Sequence, residues 1–459
     1  MTRTRRSLRS EDRFPSREDR YRAGKLLRTK VPRSRHATWV PPRDRPDPIE
    51  LLEESNKPRV PRLVPIRYGR MSLSPLAFLR GAAIVMARDL ADTPRTGLRV
   101  QLGGDAHLSN FGIFGTPERN EVFDLNDFDE TLPGPWEWDV KRLAASLVVA
   151  SRDNGLSRAQ GRRAAVRAVR AYRQEMNGYA SMRYLDIWYS HLDPESVARQ
   201  GARQARRAMG RYARKALART SLHVFPHLVH REGQGYHIRN QPPLIVHYPS
   251  DEETKLSHAL FDLYLKTLPE ERRMLLERYR VVDVAQKVVG VGSVGTRCSI
   301  LLLVGDRGTD DPLFLQVKQA LESTLEPFAG RSQYPNHAQR VVVGQHLIQQ
   351  ASDSFLGWGS LDSRHFYVRQ LRDWKFVAEP STMGPKGLLG HAELCGAALA
   401  RAHARTGDPA CISGYIGTKD TFDQAVAAFA DAYADQTEHD YAALIAAIKS
   451  GRVHAAEEP

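Results

Sequence analysis

Cysteine is scarce and long apolar runs are absent. Three cysteines, Cys298, Cys395 and Cys411, are spread over 459 residues, widely spaced and odd in number. A disulfide framework or a cysteine-rich zinc site is therefore not expected, and a reducing, cytoplasmic setting fits. No stretch reaches the ~18–20 uninterrupted apolar residues that a membrane helix needs, so no membrane span is expected. The Arg-rich start, Met1 to Ser10, is not followed by the apolar segment of a secretory signal. No internal repeat is visible at a period of ~20–50 residues. At ~100–200 residues per domain, the length allows two or three structural units with a sizeable core.

What the chain has in excess is positive charge, with a formal net of +14. Residues 1–46 hold 15 basic and 5 acidic residues, a net of +10, which leaves about +4 for the other 413. Charge alone does not demand nucleic-acid binding by the body of the protein. Residues 1–60, rich in Arg, Pro and Asp, read as a basic, disordered arm or linker; contact with RNA, DNA or an anionic surface is the alternative. A second basic stretch, 197–220, reads as a solvated surface helix, with an acidic ligand or nucleic acid as the other reading.

Apolar spacing and turn residues place the elements. Ser74-Pro75 suits a helix start, with a helix over 76–90. A short strand at 99–102 leads to a hairpin-like stretch over 113–125. Helical spacing begins at Trp138, and Ser157 can cap the next helix. Strands are predicted at 281–289, 299–304, 313–318 and 365–371, and helices at 337–350, 388–405 and 422–449.

Three constellations carry chemistry. The first is Gly290-x-Gly292-x-x-Gly295, with Ser293 inside it. A lone glycine pattern of this kind is weak evidence, but this one lies between two strands rather than opening a helix. Glycines let backbone N–H groups approach phosphate oxygens, and the following strand ends in Lys318, able to neutralise phosphate charge. The other reading is an ordinary hairpin with a surface lysine. The second is Asp105-x-His107-x-x-Asn110. Its Asp can orient or deprotonate an attacking hydroxyl, and its Asn oxygen can bind magnesium. The third is Asp127-Phe128-Asp129, with Asp124 upstream, whose hard oxygens suit magnesium bridging phosphates. The other reading is a plain surface turn.

The loop Gly104-Asp105-Ala106-His107-Leu108-Ser109-Asn110 resembles the catalytic loop of the aminoglycoside phosphotransferase and choline kinase branch of the protein-kinase-like superfamily. Asp127-Phe128-Asp129 resembles its metal-binding motif. In that branch an Asp about twelve residues further on anchors the catalytic loop. Asp139 stands at that distance, which favours Asp127 over Asp124 as metal ligand. Related loops often carry a His at the place of His107, as loop support or in a proton role. The chain from about 67 to 441 is also similar to a bacterial family of uncharacterised proteins, domain-of-unknown-function family 2252, through Arg67-Tyr68-Gly69-Arg70-Met71, Phe78-Leu79-Arg80-Gly81, 104–112, 126–130 and Tyr367-Val368-Arg369-Gln370-Leu371-Arg372-Asp373.

Two departures stand out. Asp105 precedes Gly290 by 185 positions, the reverse of the usual order. The lysine's usual Glu partner also has no clear counterpart, with Glu322 and Glu326 as candidates. Arg67, Arg70 and Arg80 can bind phosphate or pair with the carboxylates. Arg369, Arg372, Asp373 and Lys375 can contact substrate or close a cleft.

The resemblance implies an α+β, protein-kinase-like two-lobed fold, circularly permuted, with a small β-rich lobe (279–378) inserted between helical large-lobe segments (61–278 and 379–459). It implies an ATP- and Mg2+-dependent phosphotransferase acting on a hydroxyl of a small molecule or protein. Asp105 and His107 are the expected catalytic residues. Asn110, Asp127 and Asp129 are expected at the metal, and Gly290, Gly292, Ser293, Gly295 and Lys318 at the nucleotide. A nucleotide sensor or pseudokinase without turnover, and a nucleotidyl transferase, are the alternatives.

Overall fold

The computed structural model describes residues 15–456 apart from 201, 218–220, 234, 249–250 and 372–374. The basic N-terminal stretch is folded wherever it is described, contrary to the expectation of a disordered arm; residues 1–14 lie outside the described residues. Ser16 accepts from the Asp19 N–H at 3.1 Å and starts Arg17–Lys30 (α1). The arginines here have partners inside the protein. Arg28 donates to the carbonyls of Tyr415 and Gly414, and Arg33 to that of Ile416, so both satisfy the C-terminal end of the helix Pro409–Ile416. A Cβ on Gly24 would lie 1.9 Å from the Cys411 carbonyl oxygen, so glycine sets how closely these two helices approach. Arg45 then bridges Asp89 and Asp440, both buried.

Four short helices follow: Pro48–Asn56 (α2), Val64–Met71 (α3), Pro75–Gly81 (α4) and Ala83–Ala91 (α5). Ser74 caps α4 as the sequence suggests, but the single helix expected over 76–90 is broken at Ala82 (φ −109°, ψ 41°). The break frees the Gly81 carbonyl, which takes a hydrogen bond from Arg67 at 2.7 Å.

Arg99–Leu102 (β1) pairs with Leu132–Pro135 (β4), and Phe111–Gly115 (β2) with Glu121–Leu125 (β3), all antiparallel. Trp136–Asp153 (α6) has no glycine or proline and carries Glu137 and Asp139 in its first turn, where the helix dipole favours acids. Arg158–Tyr179 (α7) begins with a capping box between Ser157 and Gln160. Arg203–Leu217 (α8) is not wholly solvated: Ala205, Ala208, Met209, Tyr212 and Ala216 are buried while its arginines face out.

The remaining strands are Val229–Glu232 (β5), Gly235–Ile238 (β6), Ile245–His247 (β7), Arg280–Lys287 (β8), Cys298–Val304 (β9), Pro312–Ala320 (β10), Gly357–Leu361 (β11), Arg364–Gln370 (β12) and Phe376–Val377 (β13), with His337–Ile348 (α9) between β10 and β11. β7 to β12 form a six-stranded antiparallel sheet in the order β11-β12-β10-β9-β8-β7. β9 lies inside it, and the unbroken apolar run Ile300–Val304 is explained by burial on both faces. Leu301 and Leu303 join a core with Tyr264 and Val368, while Ile300 and Leu302 join another with Ile238 and Phe314. Pro385–Thr406 (α10), Pro409–Ile416 (α11) and Thr421–Lys449 (α12) complete the chain, and α6, α7, α10 and α12 pack around the largest core. The protein is thus mixed α+β with several sheets. No helix among the described residues is long and apolar enough to cross a membrane.

Candidate functional site

The loop between β1 and β2 is held from below. Both oxygens of Asp139 accept backbone N–H groups, from Gly103 at 2.7 Å and Gly104 at 3.0 Å, and His403 of α10 lies 3.2 Å from the same carboxylate. Gly104 has φ +86°, and a Cβ there would sit 2.2 Å from the Glu130 carbonyl, so conformation and space both require glycine. Asp105 follows. Arg142, one turn beyond Asp139 on α6, donates from Nε to Asp105 Oδ1 at 2.8 Å; its Nη2 lies 2.7 Å from the same oxygen and donates to the Leu79 carbonyl. The Asn110 amide donates to the Asp105 backbone carbonyl at 2.8 Å, which commits its nitrogen and leaves Oδ1 as the acceptor end.

His107 Nδ1 accepts from the Ser109 N–H at 3.2 Å, so the ring proton belongs on Nε2, 3.6 Å from Asp105 Oδ2. Burial, with Arg80 and Arg142 nearby, pushes the imidazole well below its usual pKa. It is therefore a neutral group facing Asp105.

The acidic loop divides its carboxylates. Asp124 is fully buried against Arg401 and the Gln350 N–H, away from the cavity. Asp127 lines the cavity, and its Oδ1 lies 3.4 Å from the Asp129 nitrogen. Asp129 is the partner of Lys318. It also accepts from the Tyr367 hydroxyl at 2.7 Å and Ser293 Oγ at 3.1 Å, so one carboxylate ties the acidic loop to β10, β12 and the glycine loop. Burial opposes its charge, but Lys318, the Tyr367 hydroxyl and Arg369 hold its pKa below the ordinary carboxylate value. Burial likewise opposes the Lys318 ammonium, which Asp127 and Asp129 together hold above the usual lysine value. The expected candidates do not reach Lys318. Glu326 lies 3.8 Å from Arg340 Nε, and Glu322 stands at the cavity rim. Where a Glu would be expected, α9 supplies buried Arg340, which donates to the carbonyls of Asp129, Thr131 and Leu321.

The glycine loop joins β8 to β9, with Gly290 at φ +65° and Gly295 at φ +91°. The segment 59–81 clamps it. Val60 N–H donates to the Gly295 carbonyl at 2.8 Å, Arg59 to that of Val294 at 2.5 Å, and Arg70 to that of Gly290. A Cβ on Gly292 would lie 3.1 Å from the Arg80 carbonyl. Asp105, His107, Asn110, Asp127, Asp129, Gly290, Gly292 and Ser293 thus line one cavity of about 110 Å³, whose wall also includes Arg59, Arg67 and Arg80. Gly295 and Lys318 stand behind this lining, at the Arg59 side chain and on Asp129 respectively.

Gly290 also borders a wider cleft of about 870 Å³, together with Val288, Val289, Gln316, Arg369, Leu371 and Lys375. Burial, with Arg369 beside it, lowers the Lys375 pKa to about 7. Arg372 and Asp373 lie outside the described residues. Sequence reasoning missed Arg142, Arg340 and the Lys318 partner. Arg142 has a faint signal, its place one turn after Asp139; the other two contacts join residues about 200 positions apart.

No group of three or more His, Cys, Asp or Glu side chains stands at metal-binding spacing among the described residues. An all-protein cage is therefore absent there, and the Asn110 and Asp127 oxygens suit only a hard cation that brings phosphate and water ligands with it, as Mg2+ does.

A family model described as an uncharacterized protein conserved in bacteria (DUF2252) matches residues 59–447. The chain belongs to this family. The match to DUF2252 runs from the clamping segment through both loops and the six-stranded sheet to α12, so the whole site lies inside it. No curated protein and no solved structure matches at a significant level.

Proposed function

We propose that this DUF2252 protein is an ATP- and Mg2+-dependent phosphotransferase of kinase-like architecture with permuted lobe order, acting on a hydroxyl acceptor. The observation that carries this reading is the shared cavity: Asp105, Asn110 and Asp127 face the glycine loop, and Lys318 reaches Asp129 beside it. Size supports a division of labour. About 110 Å³ suits a phosphoryl group, and the adjoining cleft of about 870 Å³ suits a nucleoside.

Asp105 orients the acceptor hydroxyl and takes its proton on Oδ2, the oxygen that Arg142 leaves free. The acceptor oxygen bonds to the γ-phosphorus as the bond to the β–γ bridging oxygen breaks, and that electron pair stays on ADP. Neutral His107 keeps Asp105 aligned. Mg2+, held by Asn110 Oδ1 and Asp127, would neutralise phosphate charge. Lys318, through Asp129, fixes the glycine loop over the phosphates. Catalysis is then positioning and electrostatic stabilisation.

A second reading, nucleotide binding without turnover, is favoured by one observation: Arg142 already occupies one oxygen of Asp105. Labelled ATP with a panel of small hydroxylated metabolites separates the two. Transfer by the wild type, lost in a folded Asp105→Asn variant, supports the enzyme. A melting temperature raised by Mg2+ and ATP without transfer to any acceptor supports the second reading. Neither effect would overturn both.

A further inference from the structure

Of the three arginines that wall the cavity, two are committed to the protein. Arg67 donates to Ser55, Asn56 and the Gly81 carbonyl, and Arg59 to the carbonyls of Ser55 and Val294. Arg80 differs. The break after Gly81 ends α4 at the cavity edge, and its side chain lies where it feels Glu379, Asp105 and Asp127. It closes no ion pair with them among the described residues, and its buried Nε has no hydrogen-bond partner. Its own carbonyl is packed under Gly292.

A cation held close to two carboxylates without touching them leaves a gap with opposite charge on its two sides. The group that fills such a gap is an oxyanion on the arginine side, joined to a cation on the acid side. At roughly 10–15 Å³ of such space per water, a cavity of about 110 Å³ has room for several waters, or one phosphoryl group.

We propose that Arg80 is an arginine finger supplied by the chain itself, donating to the oxygens of the phosphoryl group as it passes from ATP to the acceptor. The inference rests on the phosphotransferase reading. As the bond to the bridging oxygen breaks and the acceptor bond forms, charge is spread over the three oxygens left on phosphorus. A guanidinium fork beside Asp105 and Asp127 meets those oxygens best when the group lies midway. Arg80 therefore acts on the transition state more than on bound nucleotide.

The test uses full-length protein with ADP, Mg2+ and aluminium fluoride, a mimic of the group in flight, read by thermal melting. The wild type is expected to gain one increment in melting temperature from ADP and Mg2+, and a second on adding fluoride. Arg80→Gln should keep the first and lose most of the second, and Arg80→Lys should recover only part of it. An Arg80→Gln protein that keeps the whole second increment, or a wild type with the first increment and no second, overturns the role of Arg80 while leaving nucleotide binding intact. A wild type with no first increment refutes the nucleotide reading itself, and Arg80's role with it. If Arg80→Gln does not fold, Arg80→Lys decides: a full second increment overturns the bidentate role.

Discussion

Replacing Lys318 with Met removes the charged contact that ties β10 to the acidic loop. The Lys318 side chain is 2% exposed and that of Asp129 26%. Without the ammonium, the carboxylate keeps, among the described residues, the neutral donors Tyr367 and Ser293, with Arg369 as a nearby cation. Removing one partner of a buried pair costs about 3–5 kcal/mol, and the partial exposure of Asp129 brings the expected loss to roughly 2–3 kcal/mol. Asp129→Asn should cost a similar amount, and the double variant less than the two together, by at least about 1 kcal/mol.

The pH dependence has a definite sign. The carboxyl is held below its unfolded value, so its contribution is present above about pH 4 and is lost as pH falls through the folded value. The ammonium is held above its unfolded value, so its contribution is present below about pH 10 and is lost as pH rises through the folded value. Urea unfolding of the three variants and the wild type at pH 7 measures the coupling. A Lys318→Met loss below about 0.5 kcal/mol, strictly additive with Asp129→Asn, would refute the pairing.

Two further outcomes concern parts of the fold outside the cavity. Lys141 on α6 is fully buried beside Phe429, its Nζ has no hydrogen-bond partner among the described residues, and burial lowers its pKa to about 7. Between pH 7 and about 10.4 the unfolded chain binds this proton and the folded chain does not, so the penalty is largest at pH 7 and below and fades as pH rises. Lys141→Met should stabilise by a few kcal/mol at pH 7 and by little near pH 10; a loss of stability at pH 7 in denaturant titrations would contradict this. Gly24→Val places side-chain atoms against the Cys411 carbonyl and should unseat α1, exposing residues 17–30 to limited proteolysis. Wild-type resistance in that variant would show that α1 is not docked there.

Much of the fold was legible where local chemistry decides it. Ser74 and Ser157 cap helices, and β9 with the glycine turn before it follows from an apolar run bounded by Gly295 and Gly305. The basic arm was misread because composition does not reveal partners. Arg28 and Arg33 meet helix carbonyls, and Arg45 the Asp440 carboxylate, about 380–400 residues away. The break at Ala82 was hidden because its cause is tertiary: the Gly81 carbonyl goes to Arg67, and a Cβ on Gly81 would lie 2.5 Å from Met71. At the cavity, residue type singled out Asp105 and Asn110, and the kinase-branch resemblance favoured Asp127; all three line it. That Asp129 rather than Asp127 meets Lys318 could not be read, since that contact joins residues 189 positions apart.

The most direct test of the central claim is calorimetric titration of ATP into the wild type and Asp127→Asn, in Mg2+ and in chelator. Binding in Mg2+ is expected to weaken at least about tenfold in chelator and in the variant, ~1.4 kcal/mol or more. Equal affinity with and without Mg2+, or no binding of ATP at millimolar concentration, would contradict it.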